Sequence, residues 1–169
     1  MRESWTSMLR SWIDATRRNH GLEHATVAVL FERQGQQRIA GRASGDGFFI
    51  LGKLDAHVLD ECAHEALRRM QQGQPELAVS PLCGTNIAVT GFFTATAALL
   101  AKRRADAAGR RDGFFNAATW AMLAVVLAQP AGRLLQQFVT TRGDVENLEI
   151  VGTKEFFPGV KKVFTRSTV

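Results

Sequence analysis

Apolar residues early in the chain recur at helical spacing. Trp5, Met8, Leu9, Trp12 and Ile13 share one face, and Arg2, Arg10, Arg17 and Arg18 share the other. The pattern predicts a basic amphipathic helix over residues 3–26, of the kind that either lies on a bilayer surface or packs against a soluble core. β-branched and apolar runs follow. Residues 26–31, 37–43 and 47–52 read as strands, with turns around Gly35 and at Ser44-Gly45-Asp46. Helical spacing returns over residues 55–72, where Val58, Leu59, Cys62, Ala63, Ala66, Leu67 and Met70 fall on one face. Asp55 is the expected N-cap, and Gly73 with Pro75 the stop. Residues 76–80 read as a short strand. In the tail, Leu148, Ile150 and Val151 predict a strand, Phe156-Phe157-Pro158-Gly159 a turn or an interfacial aromatic patch, and residues 160–165 a last strand.

Two stretches carry no charge at all, residues 77–101 and 113–132, and a basic loop from Lys102 to Asp112 separates them. A membrane span needs about 20 apolar residues. The second stretch meets that. Pro81 and Gly84 interrupt the first, so its helix is expected to begin near Thr85 or Asn86, capped by one of them, and to be short for a full span. Gly91 with Ala95, Ala97 with Ala101, and Ala117 with Ala121 form small-xxx-small pairs that let helices approach closely. The expected architecture is α+β and a single domain over residues 1–169. It comprises an amphipathic N-terminal helix, a small, mostly antiparallel sheet with one helix, and a helical membrane hairpin inserted at residues 85–132. The lipid bilayer is the expected partner. Protein partners or a second copy would use the small-residue faces of the hairpin.

Composition narrows the classes. Lys and Arg number 21 against 16 Asp and Glu, a net charge of +5, and there is no tyrosine. The densest basic cluster sits between the two apolar stretches, and no Arg/Lys run alternates with aromatics that could stack on bases, so nucleic acid is not an expected partner. Two cysteines, Cys62 and Cys83, imply no disulfide framework and a reducing compartment. Residues 1–13 have scattered charge and no apolar core, unlike a secretory signal peptide. The positive-inside rule draws the loop at residues 102–111 to the cytoplasm, which would put the polar domain outside. In conflict with this, a polar domain of this size with no signal favours the cytoplasmic side for itself, and Arg68, Arg69, Arg133 and Arg142 flank the hairpin there. The expected location is the cell membrane, with the polar domain cytoplasmic.

The sharpest chemical feature is His20-Gly21-Leu22-Glu23-His24, an H-x-x-E-H arrangement. On a helix, residues four apart face the same way, so both imidazoles can hold one Zn²⁺ at about 2.0–2.1 Å. Glu23 beside them is placed to take a proton from water. The order is similar to the inverted-zincin signature. Gly21 costs a helix about 1 kcal/mol relative to alanine, which suggests an end or a kink. The competing reading places His20 at a helix C-terminus, with Glu23 and His24 in ordinary hydrogen bonds. Cys83, in Ser80-Pro81-Leu82-Cys83-Gly84-Thr85-Asn86, precedes an apolar helix whose N-terminus favours thiolate. It reads either as a third ligand or as a buried cysteine in a glycine turn. His57, Glu61 and His64 belong to a solvated helix face, and Cys62 to a core face. No Gly-rich phosphate loop and no G-x-S-x-G element is present.

Residues 19–26, Asn-His-Gly-Leu-Glu-His-Ala-Thr, followed by Cys83-Gly84-Thr85-Asn86 and an apolar helix pair, resemble an uncharacterised family of bacterial membrane proteins. That family, a domain of unknown function, carries N-H-x-x-E-H-A-T and H-P-x-C-G-T-N. A second uncharacterised membrane family, with H-G-A-E-H-K and H-P-x-C-G-T, is more distantly similar. The first resemblance spans roughly residues 19–126. It marks His20, Glu23, His24, Cys83, Gly84 and Thr85 and implies a site joining the first helix to the start of the hairpin. It supplies no activity. Ser80 stands where that family has histidine, which puts an altered or inactive site in question.

The function expected from these features is a membrane-anchored zinc-binding protein, with His20, His24 and Cys83 as ligands. Glu23 as general base would make it a peptidase-like hydrolase. The alternative is a non-catalytic accessory or assembly subunit of a membrane complex. A third reading is a lipid- or anion-binding surface built on Arg103, Arg104, Arg110 and Arg111.

Overall fold

The computed structural model describes residues 2–168, with side chains described from Trp5 to Thr168. The expected place of Arg2 on the polar helix face lies outside the described side chains. The architecture is α+β: four helices and a four-stranded antiparallel sheet. It divides into two compact units, one running up to Val79 and resuming at Thr140, the other covering residues 80–139.

In the first unit, α1 (Arg2–Gln34) runs through two places where the sequence predicts otherwise. Residues 26–31, read as a strand, are helical. Thr26, Val29 and Leu30 are buried with Leu22 and Ala25, and a short apolar run cannot be told from a buried helix by its period. Adding a turn to an existing helix also avoids a new nucleation cost. The Thr26 hydroxyl is satisfied within the helix, donating to Leu22 O at 2.8 Å. Nor does Gly21 end the helix. A Cβ there would lie 2.4 Å from Arg142 O and 3.0 Å from Ala78 Cβ, so the glycine admits two neighbouring segments. α1 stops at Gly35, whose φ of 76° is left-handed and whose N–H donates to Phe31 O at 2.9 Å.

β1 (Ala40–Ser44) starts later than expected and pairs with β2 (Gly47–Leu51) across the Gly45-Asp46 turn. α2 (Ala56–Gln71) follows, capped by the Asp55 carboxylate, which accepts from His57 N–H at 2.7 Å and Val58 N–H at 3.4 Å. Residues 76–80, read as a strand, instead hold a 3₁₀ turn at Pro75–Ala78, with Pro75 fixing the first helical φ. β3 (Leu148–Phe157) and β4 (Val160–Ser167) close the sheet in the order β1-β2-β4-β3. Both helices contribute to one core. Leu22 and Val29 of α1 and Leu59, Cys62 and Met70 of α2 join Phe48, Ile50 and Val163 of the sheet. Each large side chain so buried contributes roughly 1.5–3 kcal/mol.

The second unit is a helical hairpin of α3 (Gly84–Ala107) and α4 (Gly113–Leu135), the latter continuing as a π turn over Gln136–Thr140. Both helices are long and apolar enough to cross a membrane. α3 is not the short helix expected. It begins at Gly84, runs on through residues 102–107, which the sequence assigns to the loop, and has 24 residues, roughly 36 Å at the α-helical rise. Its N-cap is Cys83, not Thr85 or Asn86, and no side chain caps it. Asn86 reaches elsewhere, donating from Nδ2 to Pro81 O at 2.9 Å and to Gln129 Oε1 at 3.3 Å. The buried positions are mostly small: Ala101 and Ala105 on α3, and Gly113, Ala124, Ala128 and Gly132 on α4. Ala97, Ala117 and Ala121 adjoin this seam half-buried, whereas Gly91 and Ala95 are exposed. Facing outward are Phe92, Phe93, Leu99, Met122, Val126 and Leu127, a surface suited to lipid tails.

Candidate functional site

His20 and His24 occupy successive turns of α1, with ring centroids 4.4 Å apart and planes tilted by 59°. Two segments of the first unit frame the pair on α1. Arg142 N–H donates to Arg17 O at 3.0 Å, and the Arg142 side chain bonds Asp14 and Asp144 at 3.0 and 2.7 Å, which ties the chain after Thr140 along α1. The 3₁₀ turn lies beside Gly21 through Ala78, and Gly143 packs on Pro75. Two main-chain carbonyls are thereby set against the imidazoles. His24 Nδ1 is 2.7 Å from Ala78 O and His20 Nδ1 is 3.0 Å from Thr140 O. A carbonyl only accepts, so both Nδ1 atoms carry the proton. In the neutral rings both lone pairs then sit on Nε2. Such a backbone partner orients a ligating histidine and fixes its tautomer. A ring nitrogen of each lies within 4.8 Å of the other's, against about 3.4 Å for two ligands on a tetrahedral zinc with bonds of about 2.0–2.1 Å.

Glu23 is buried, and its carboxylate points at the sheet. A Cβ on Gly41 of β1 would fall 1.9 Å from Glu23 Oε1. Successive helical residues diverge by about 100°, so Glu23 and His24 face different neighbours. Cys83 belongs to the second unit. It is buried as the N-cap of α3, and its carbonyl accepts from Ile87 N–H at 3.1 Å. Ser80 shapes the loop before it. Its hydroxyl oxygen accepts from Leu82 N–H at 3.2 Å and its carbonyl from Cys83 N–H at 3.3 Å, a serine turn that needs no histidine.

Other motif residues serve the fold. Asn19 is buried with both amide ends engaged, Nδ2 donating to Ser44 O at 2.8 Å and Oδ1 accepting from Thr165 Oγ1 at 2.6 Å. It clamps α1 to β1 and β4. Local periodicity offered no hint of this role, because the partners lie 25 and 146 residues away. The same holds for Arg142, Ala78 and Thr140. On the solvated face of α2, His57 lies 3.7 Å from Glu61 and His64 3.4 Å from Asp60, ordinary surface pairs. Burial pushes the Cys62 thiol pKa up, as suits a core residue.

No solved structure matches the chain. An uncharacterised protein of Picosynechococcus sp. is 34% identical over 139 residues, which cover 74% of this chain and 65% of the relative, so the chain spans just under two thirds of that protein's length. The family described as a domain of unknown function, DUF6391, matches residues 15–153, from within α1 through both hairpin helices into β3, and the chain belongs to that family.

Proposed function

We propose that this is a membrane-anchored metal-binding protein in which His20, His24 and Cys83 hold one ion, zinc by the nature of the donors. The observation that carries the reading is the histidine pair itself. Two imidazoles one turn apart each give Nδ1–H to a main-chain carbonyl, which leaves both Nε2 lone pairs suited to coordination. Cys83 follows Ala78, the partner of His24, by five residues, a tether of at most about 18 Å. Its position at a helix N-terminus favours the thiolate a metal needs.

A zinc ion in such a set supplies a Lewis acid and polarises a bound carbonyl. Glu23 would act as general base, accepting a proton from water and passing it to the leaving group, in a peptidase-like hydrolysis. The hairpin holds the protein in the cell membrane, with the polar unit on the cytoplasmic side. Elemental analysis of the detergent-purified chain tests the ligand set. The wild type should carry near one metal per chain, His24→Ala should lose it, and Glu23→Gln should keep it while losing hydrolysis. A metal-free wild type sinks the proposal.

One observation favours a second reading, a non-catalytic accessory or assembly subunit. The Glu23 carboxylate packs against Gly41, where it supports β1. The metal would then clip the fold together, and the exposed Gly91–Ala95 face of α3 would meet a partner helix or a second copy. Unimpaired function in cells carrying Glu23→Gln, together with co-purification of the chain with a larger complex, would favour it over hydrolysis.

A further inference from the structure

The first turns of α1 stand apart from the rest of that helix. Residues 5–13 are exposed without a break, whereas Asn19 and residues 21–26 are buried. Large apolar side chains make up one side of this exposed segment. Trp5 is 74% and Trp12 58% exposed, with Met8, Leu9 and Ile13 between and beside them. At about 100° per residue the five occupy an arc of roughly 140°, and the two tryptophans stand two turns, about 10 Å, apart on nearly one line. Ser7, Arg10 and Ser11 hold the opposite side. The stripe is held in place. A Cβ on Gly45 in the β1–β2 turn would lie 2.6 Å from Trp12 Cδ1, so the indole edge rests on that turn while much of its surface stays open.

We infer that this segment lies in the headgroup layer of an anionic bilayer, with the Trp5–Ile13 stripe sunk toward the acyl chains. Three features on the chain favour lipid over protein as the occupant. The stripe is only about 14 Å long, whereas a stable protein interface takes about 800 Å² from each partner and some 20–30 residues a side. Tryptophan is amphipathic and concentrates at the membrane interface. Residues 5–13 contain no acid, and Arg10 carries the segment's positive charge, with no ion pair among the described residues. Arg17 and Arg18 continue the basic side, each 3.6–3.7 Å from one aspartate. The inference rests on the membrane-anchoring reading of the hairpin, which keeps α1 within reach of a surface for which its own affinity would be modest.

The test uses the full chain in vesicles of mixed zwitterionic and anionic phospholipid, brominated either near the glycerol or near the chain ends. Two variants keep one tryptophan each: Trp12→Phe/Trp120→Phe leaves Trp5, and Trp5→Phe/Trp12→Phe leaves Trp120, roughly 10 Å along α4 from Gly113. The expected result is blue-shifted Trp5 emission that loses more intensity to shallow than to deep bromines. Trp120 emission should also be lost to the deep set. Trp5 emission open to aqueous iodide and indifferent to bromine overturns the inference. So does Trp5 emission shielded from both, which would mean a protein covers the stripe. If Trp120 ignores bromine at both depths, the anchoring reading fails and takes this inference with it.

Discussion

Gly41 and Glu23 show how far a single position can be predicted. A methyl group at Gly41 would fall on the Glu23 carboxylate, 1.9 Å from Oε1, and a buried side chain has little room to yield. Gly41→Ala is therefore expected to destabilise the first unit by about 1–3 kcal/mol, the usual range for overpacking. Thermal unfolding in detergent followed by circular dichroism reads this. An unchanged midpoint would mean that Glu23 does not pack there. Glu65 gives a prediction in pH. Hydrogen bonds from the Arg68 and Arg69 guanidiniums hold its pKa at about 2, below the ordinary 4.5. A depressed carboxylate pKa stabilises the fold above the unfolded value, and that contribution fades as pH falls from about 4.5 through about 2. Arg69 also reaches Glu32 of α1 at 2.7 Å, so the carboxylate helps hold α2 against α1. NMR titration of the Glu65 carboxyl carbon should find a midpoint near 2, and Arg68→Gln should raise it toward 4.5. At this scale the sequence was legible only where chemistry is local. Asp55 as an N-cap and Ser44-Gly45-Asp46 as a turn are contained in a few adjacent residues. The partners of Asn19, Gly21 and His20 are brought in from as far as residues 165, 142 and 140, and nothing in the motif names them.

Among the elements, the hairpin helices were easiest to read because absence of charge over some twenty residues is a strong signal. The length of α3 was misread at its far end, where residues 102–107, read as part of the basic loop, continue the helix; its start lies one residue from the expected Thr85. Pro81 lies outside the helix, and Gly84 is its first residue. α1 was cut short for a different reason: residues 26–31 have β propensity, which burial on several sides overrides. The seam between α3 and α4 makes a prediction of its own. A Cβ on Gly132 would lie 1.9 Å from Asn86 Oδ1, so the asparagine oxygen rests on the glycine backbone, in the manner of a Cα–H···O contact. Gly132→Ala should loosen the hairpin, lowering its unfolding midpoint in detergent. Asn86→Ala removes the local bond to Pro81 and the bond across to Gln129 of α4, the latter worth about 0.6 kcal/mol if typical of interhelical bonds in membranes. Combined with Asn86→Ala, the glycine substitution meets no amide, so the double variant should be less destabilised than the two single effects added together. Additive losses would place the Gly132 clash somewhere other than Asn86.

At the scale of the whole molecule, the proposed anchoring in a bilayer raises the question of which side each part would face. If α3 and α4 both cross, as their length and apolarity allow, the residues before Ser80 and those after Val139 share one compartment and the α3–α4 loop takes the other. The charges pull both ways. Lys102, Arg103, Arg104, Arg110 and Arg111 lie at the loop end of the hairpin, and Arg133 and Arg142 near the end that joins the first unit. Basic residues close to a span weigh most in orientation, and acids contribute little, so the Lys102–Asp106 and Arg110–Asp112 pairs do not cancel the loop's bias. A cytoplasmic first unit therefore requires this loop to face outward against that bias. Impermeant thiol labelling decides the matter, because both native cysteines are buried and give little background. With the first unit cytoplasmic, Gly109→Cys should label in intact cells and Glu146→Cys only after permeabilisation, since the loop and the β3 approach lie on opposite faces of the bilayer. The reverse pattern would turn the molecule over and leave the hairpin standing, with the histidine pair facing outward. Labelling of both sites from one side would mean the apolar helices do not cross. The outward Phe92, Phe93, Val126 and Leu127 would then need a protein surface, in place of lipid, to cover them.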